Sequence, residues 1–447
     1  MKIAFHTLGC KVNQYETEAM KEQFAAAGHE IVGEEDLADV YIINTCTVTN
    51  LADRKSRQYI RRMKKQCPQA VVAVTGCYAQ VKPEELSAME EVDIVAGTGE
   101  KSNLLTYVEQ FCAEHQAQLH IRSREDLTEY SDRGIITSME SRTRAYIKIQ
   151  EGCNRFCAYC LIPFARGQVR SRDPEEIVEE ARALIAAGFK ELILTGINTA
   201  LYGTEDGFDW PLTEEEEAAG VSGIEIILGR ISRLPGDFRI RLSSLEPTVV
   251  NAGYVKRLLQ YERLCPHLHL SMQSGSDRIL KAMNRRYSRQ EYLEIVRVLK
   301  AYDPGYGITT DIIVGFPGET EEDFQDSLDM IRTVEFCKVH GFRYSRRPGT
   351  AAAAMTGQVG GEVKNRRIQK LLEEGEKAEK NYFAKCAARK EVRTVLFEET
   401  DGGLLTGYSE NYIKVYASGG EDRLNRFQKV RLLEEYKDGM KGEIIDG

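Results

Sequence analysis

The chain has no long apolar run. None of its windows approaches the roughly 20 consecutive apolar residues that cross a bilayer, so no membrane span is expected. The opening, MKIAFHTLGCKVNQYE, meets polar residues at once and lacks the apolar centre of a signal peptide. Positive charge is not in excess. The 447 residues carry a net charge of -9, so any RNA contact has to come from basic residues gathered locally. Familiar catalytic signatures are also missing. The segment Asp311–Gly318, DIIVGFPG, lacks the GK[ST] ending of a phosphate loop. There is no HExxH for zinc and no Ser–His–Asp order for acyl transfer. His267 and His269 alternate with Leu268 and Leu270, so they are two polar residues on one strand face rather than a metal pair.

What remains is an alternation of strand and helix signals. IAFHTL (Ile3–Leu8), VYIIN (Val40–Asn44) and AVVAVTG (Ala70–Gly76) read as strands, with helical spacing over Asn13–Ala27, Leu51–Lys65 and Pro83–Glu90. This predicts an N-terminal α/β domain on a parallel sheet, residues 1–112. Residues 113–142 lose the periodicity and read as a linker, centred on Ser123–Arg142. Strand candidates then recur at Ala145–Gln150, Glu191–Gly196, Phe238–Ser244, His267–Met272, Ile308–Phe316 and Cys337–Tyr344. Six such units predict a partial (β/α)6 barrel over residues 143–375. Within it the acidic run Glu214–Glu217 reads as an exposed insertion. Residues 376–447 hold the end of a helix (Val363–Ala387) and short strands separated by turns, a small all-β module. The fold class is α/β.

Eleven cysteines is many for a cytosolic chain. With no sign of secretion, a reducing cytoplasm is expected, where thiols bind metal or stay free. Cys153, Cys157 and Cys160 form a Cx3Cx2C loop after a strand, at the mouth of the barrel where chemistry sits. Three thiolates hold three corners of one centre, and the loop has no fourth ligand. Zinc normally takes four, whereas a 4Fe–4S cluster with three leaves an iron open. The spacing favours the cluster over zinc. Cys10, Cys46 and Cys77 each follow the carboxyl end of a predicted strand. Parallel strands share that edge, so the three converge and are a candidate second cluster; the alternative is three small apolar residues at strand ends. Cys67, Cys112, Cys265, Cys337 and Cys386 show no ligand spacing and read as buried thiols.

Polar and glycine residues stand at successive strand ends: Thr195, Gly196, Asn198; Ser243, Ser244, Glu246; Gln273, Ser274, Gly275. Singly each fits capping or turn chemistry; together they read as ligand contacts. Arg286 is a candidate anchor for a carboxylate, or a solvated surface arginine. Seven of the twelve residues from Arg54 to Lys65 are basic and none is acidic. Arg54, Arg57, Arg61, Lys64 and Lys65 fall within an arc of about 100° on a helix, opposite Tyr59, Ile60 and Met63, which favours a polyanion partner. Arg343–Arg347 is a weaker basic patch.

The motifs FHTLGCKVNQYETE, VYIINTCTVTN, AVTGCYAQ, IQEGCNRFCAYCLIPFARGQVRSRDPEEI, LTGIN, LSSLEP, HLHLSMQSGS, MNRRYS and DIIVGFPGETEEDF, in this order, resemble the radical S-adenosylmethionine (SAM) methylthiotransferases over essentially the whole chain. The HTLGCKVN opening is most like the bacterial type acting on N6-threonylcarbamoyladenosine in tRNA. The resemblance implies a SAM-binding 4Fe–4S cluster on Cys153, Cys157 and Cys160 and an auxiliary 4Fe–4S cluster on Cys10, Cys46 and Cys77. Thr195, Gly196, Asn198, Ser243, Glu246, Gln273, Gly275 and Arg286 would contact SAM. It implies a radical made from SAM and transfer of a methylthio group to C2 of the adenine next to the anticodon. The C-terminal module would be an RNA-binding TRAM-like barrel. Partners would be the tRNA anticodon stem-loop and an electron donor such as flavodoxin or ferredoxin, with the enzyme a monomer. Sibling substrates, isopentenyladenosine in tRNA or a ribosomal-protein aspartate, are the alternatives.

Overall fold

VYIINT is buried along its whole length, as a parallel strand covered on both faces must be. In the computed structural model, which describes residues 1–130, 136, 143–209 and 211–445, this segment is the third strand of the first sheet. That sheet comprises β1 (Lys2–Thr7), β2 (Glu30–Val32), β3 (Val40–Thr45), β4 (Val71–Gly76), β5 (Ile94–Ala96) and β6 (Gln118–His120), in the order β2-β1-β3-β4-β5-β6. All pairings are parallel. One face packs Ile43, Val72 and Val74 against Ile60 and Met63, and the other packs Ile42, Ala73 and Ile94 against Met20, Phe24 and Val108. Each such buried side chain stabilises by roughly 1.5–3 kcal/mol. The short β6 lies in the stretch read as a linker, so part of that stretch completes the sheet. Of Ser123–Arg142, residues 131–135 and 137–142 lie outside the described residues.

The second unit contains β7 (Arg144–Glu151), β8 (Arg170–Ser171), β9 (Glu191–Gly196), β10 (Arg239–Leu242), β11 (His267–His269), β12 (Gly307–Val314) and β13 (Lys338–Arg343). Parallel pairs join β7 to β9, β9 to β10, β11 to β12 and β12 to β13. Isolated parallel bridges, Ile240 with Leu264 and Leu245 with Leu270, carry the sheet from β10 to β11. Six parallel strands in sequence order thus curve into a partial barrel, and β8 pairs antiparallel to the end of β7. Helices start where side chains cap them: Asp173 before Pro174–Ala186, and capping boxes at Ser288 and Thr320. The acidic run is exposed at Glu214, Glu215 and Glu217, as expected, but it is ordered. It forms the helix Glu214–Ala219, whose Glu216 is buried and bonds Arg230 at 2.8 Å.

The long helix Gly361–Ala388 lies along β13, where Gly341 and Gly375 leave room for it. It leads into a closed barrel of β14 (Val392–Asp401), β15 (Leu404–Ser409), β16 (Lys414–Ala417), β17 (Phe427–Tyr436) and β18 (Gly439–Ile444), in the order β14-β15-β16-β18-β17. This small barrel plugs the amino end of the large one. Arg239 donates to the carbonyls of Thr394 and Tyr408, Arg241 to those of Ser409 and Glu410, and Asn411 to that of Gly305. No helix among the described residues is long and apolar enough to cross a membrane.

Candidate active site

Register brings the first three cysteines together. Thr7 lies opposite Asn44, Asn44 opposite Thr75, and Thr45 opposite Gly76, so β1, β3 and β4 end at one edge. Cys10 caps the helix Lys11–Ala26, Cys46 follows Thr45, and Cys77 opens the helix Cys77–Val81. Glycines permit the crowding. Gly9 has φ +117° and a Cβ there would stand 2.9 Å from the Cys46 Cβ; Gly76 has φ +98° and its Cβ would stand 2.4 Å from the Thr45 carbonyl. Burial, then the neighbouring Cys77 thiol, pushes Cys46 up to about 12. Burial also raises Cys77, against the pull of Arg166, whose Nε donates to its sulfur at 3.2 Å.

The second triad follows β7. Gly152 turns at φ +72°, and any Cβ would stand 1.6 Å from the Gln168 carbonyl. The half-buried Cys153, Cys157 and Cys160 come next; the Cys160 amide donates to the Cys157 carbonyl at 2.9 Å and its sulfur accepts from the Ile162 amide at 3.4 Å. Asn284 Nδ2 donates to the carbonyls of Arg155 and Phe156 and so holds the loop. Burial raises the Cys153 thiol to about 11 and raises Cys157 and Cys160 as well. Burial disfavours the free thiolates here, and a bound metal centre would stabilise them. Among the described residues no three His, Cys, Asp or Glu side chains stand close enough to share one ion.

Glu246 is the hub beside this loop. Its carboxylate accepts from Arg285 at 2.6 Å, Asn198 Nδ2 at 2.9 Å and Thr248 Oγ1 at 3.0 Å, with Arg155 at 3.5 Å. Beside it Asn198 Oδ1 and Arg285 Nε are buried without a hydrogen bond, and Ser243 Oγ is likewise unsatisfied in the barrel cavity. Orphans gathered at one mouth are what a polar ligand satisfies.

The barrel interior is polar. Leu192, Leu194, Ile240, Leu268, Leu270, Ile308 and Ile312 face the helices, which leaves Thr195, Arg241, His267, His269, Thr309 and Asp311 facing inward. A barrel that was only a scaffold would fill this space with branched apolar chains. Instead a cavity of about 590 Å³ occupies it, walled on one side by Gly9, Cys10, Lys11, Val12 and Gln14 and reaching Tyr412 below.

Buried charge joins the two triads. Glu16 of the first domain meets Lys148 at 2.7 Å and also Lys101 and Arg166; Arg166 meets Glu151 at 2.9 Å and Asn13 Oδ1 at 2.6 Å. Burial would raise the Glu16 carboxyl, but Arg166, Lys101 and Lys148 hold it well below the usual carboxylate range. Three cations face two carboxylates here, and a thiolate at Cys77 would complete the balance.

Residues 147–331 match the radical SAM superfamily, and residues 2–97 match the family described as uncharacterized protein family UPF0004. The threonylcarbamoyladenosine tRNA methylthiotransferase MtaB of Bacillus subtilis (strain 168) is 41% identical over 99% of this chain and 97% of its own length. The protein of the same name from Thermotoga maritima is 36% identical, over 100% and 98%. The chain belongs to the radical-SAM tRNA methylthiotransferases. A tRNA-2-methylthio-N(6)-dimethylallyladenosine synthase of Carboxydothermus hydrogenoformans is 34% identical over 98% of both chains. In fold this methylthiotransferase is similar to the radical SAM methyltransferase TsrM of Kitasatospora setae, with a TM-score of 0.55 at 14% identity, covering 91% of this chain and 80% of that one.

Within this methylthiotransferase the expected residues are placed unevenly. Thr195, Gly196, Ser243 and Ser244 line the cavity, and Asn198 and Glu246 meet beside the cysteine loop. Gln273 is buried at φ +64° and bridges to Ile312. The arginine at the mouth is Arg285, not Arg286, which is exposed. Gly275 serves packing: a Cβ would stand 2.5 Å from the Asp326 carbonyl of the neighbouring helix. The basic stripe on Asn50–Gln66 is partly neutralised. Arg57 pairs with Glu85 at 2.7 Å, Lys64 with Asp93 at 2.9 Å and Arg61 with Glu91 at 3.6 Å, leaving Arg54, Lys55 and Lys65 exposed. Arg347 of the weaker patch is buried against Asp53 at 2.7 Å. Lys11, Glu16, Arg166 and Arg285 were missed by sequence reasoning. The alternation His267-Leu-His269, read only as two polar residues on one strand face, was a signal that could have shown the polar interior.

Proposed function

We propose that this enzyme adds a methylthio group to C2 of N6-threonylcarbamoyladenosine next to the tRNA anticodon, giving 2-methylthio-N6-threonylcarbamoyladenosine. The observation that carries this reading is the pair of thiol triads beside one polar barrel interior. Cys153, Cys157 and Cys160 would hold one 4Fe–4S cluster and Cys10, Cys46 and Cys77 another; with SAM bound these supply a carbon radical and a transferable methylthio group. The thiols of Cys46, Cys77, Cys153, Cys157 and Cys160 fit this role, since burial disfavours their free thiolates and a metal centre would restore them. Glu246, Asn198, Arg155 and Arg285, which meet one another beside the cysteine loop, would orient the amino and carboxylate ends of SAM, with Thr195, Gly196, Ser243 and Gln273 along its path. The buried pairs of Glu16 and Arg166 set the distance between the triads.

The same reading divides the chain into an auxiliary-cluster domain (1–112), a radical SAM domain (143–375) and a TRAM-like module (376–447). The tRNA would be held by Arg54, Lys55 and Lys65, with Arg61 at the rim, and by the C-terminal barrel. The enzyme would work in the cytoplasm as a monomer, with a flavodoxin- or ferredoxin-type donor. Greater similarity to the threonylcarbamoyl enzymes than to the dimethylallyl enzymes favours the first substrate over the second. The test is mass analysis of an anticodon stem-loop after incubation with the anaerobically reconstituted enzyme, SAM and a reductant. A methylthio product on the threonylcarbamoylated RNA and none on the isopentenylated RNA supports the reading; the reverse overturns it.

A further inference from the structure

The cavity in the barrel interior contains one cation that the protein leaves unused. Arg241 is taken up by Glu191 at 2.8 Å, and Asp311 by His269 at 3.2 Å. Lys11 also lines this cavity, yet among the described residues its ammonium makes no ion pair or hydrogen bond; it lies 6.0 Å from the centre of the Tyr146 ring. Two further groups that line the same cavity point to a polar ligand. Ser243 Oγ and His267 Nδ1 are buried without partners, on residues only 7% and 3% exposed. Phe342, 46% exposed, marks an open side where a base could stack. The first turn of the helix Lys11–Ala26 faces the cavity from the Cys10 side, so a ligand there lies beside the auxiliary triad.

We propose that Lys11 receives a carboxylate, and that it is the carboxylate of the threonyl group on the modified adenosine. This rests on the substrate reading above and extends it to a specificity-determining residue. An N6-threonylcarbamoyl group ends in a free carboxylate and a hydroxyl, while an isopentenyl group is a neutral hydrocarbon. A half-buried ammonium with no ion pair gains from the first and is only desolvated further by the second. His267 Nδ1 offers a hydrogen bond to the hydroxyl or urea. The cavity is within the usual size range of small-ligand sites, about 300–1,000 Å³. SAM is the other source of a carboxylate.

The experiment measures binding rather than turnover. Full-length, reconstituted protein is titrated into labelled anticodon stem-loops bearing threonylcarbamoyladenosine, its carboxylate methyl ester, isopentenyladenosine or adenosine, and separately with SAM. Wild type binds the free carboxylate about 10- to 100-fold more tightly than the ester. Lys11→Met loses that preference and Lys11→Arg restores most of it. Lys11→Met still binds the methyl-ester and isopentenyladenosine stem-loops as tightly as wild type does, which separates loss of the carboxylate contact from loss of the fold; a variant that binds none of the RNAs overturns the specific role. A Lys11→Met protein that still prefers the free carboxylate overturns the proposal. So does one that keeps the RNA preference but binds SAM more weakly, which assigns the carboxylate to SAM. A wild type that does not distinguish threonylcarbamoyladenosine from adenosine overturns the substrate reading itself.

Discussion

Replacing Glu16 by alanine removes one of the two carboxylates that Arg166, Lys101 and Lys148 share. All three cations are almost fully buried, so water cannot take over. Breaking a buried pair by removing one partner costs about 3–5 kcal/mol, because the remaining charge is desolvated and unpaired. At roughly 2–4 °C per kcal/mol for domains of this size, Tm falls by about 6–20 °C. The loss is also local. Arg166 Nε donates to Cys77 Sγ at 3.2 Å, so a guanidinium released from Glu16 no longer fixes that sulfur, and iron at the auxiliary site falls too. The assay is an anaerobic thermal melt of the metal-free protein by circular dichroism, beside iron analysis of the reconstituted one. Glu16→Gln, which keeps shape but not charge, should behave like alanine. A Glu16→Ala protein that melts within about 2 °C of wild type and holds full iron would refute the idea that this cluster ties the domains together.

Other expectations can be checked alongside. Gly152→Ala places a Cβ against the Gln168 carbonyl at a left-handed φ; it should cost more than about 1–3 kcal/mol and empty the Cys153 loop of iron, seen as a fall in cluster absorbance. Charge reversal at Arg54 and Lys65 should weaken tRNA binding and lower the slope of log K against log salt by about 1 for each phosphate no longer neutralised, whereas reversal at Lys64 should act through folding. Burial raises the Glu151 carboxyl, yet Arg166 and Lys148 bring it down to about 2. Its stabilisation is therefore complete above the ordinary carboxylate value and is lost as pH falls toward 2, and acid melts of Glu151→Gln should lack that part of the pH dependence.

Much of this was legible from strand ends. Cys10, Cys46 and Cys77 meet because parallel strands share a carboxyl edge, and the strands announce themselves by apolar runs. The (β/α)6 order follows from the same alternation. Two adjacent arginines cannot be told apart in the sequence; the left-handed turn at Asn284, φ +60°, after the helix Asp277–Ala282 precedes Arg285, the one that meets Glu246. The neutralisation of Arg57 and Lys64 comes from Glu85 and Asp93, which lie far along the chain and reach the helix only once the sheet has formed. Nothing in the local sequence shows that the helix of Lys11 starts inside a barrel mouth. The fifth strand of the small barrel, Gly439–Ile444, was hidden by its glycines, which carry no alternating pattern.

The central claim is two clusters on two triads. Iron and sulfide are to be counted after anaerobic reconstitution of wild type and of two triple alanine variants, one at Cys153, Cys157 and Cys160 and one at Cys10, Cys46 and Cys77. About eight irons in wild type and about four in each variant is the predicted result. About four in wild type, falling to none in the first variant and unchanged in the second, would leave the sheet-edge cysteines without a cluster and remove the chemical basis for methylthio transfer.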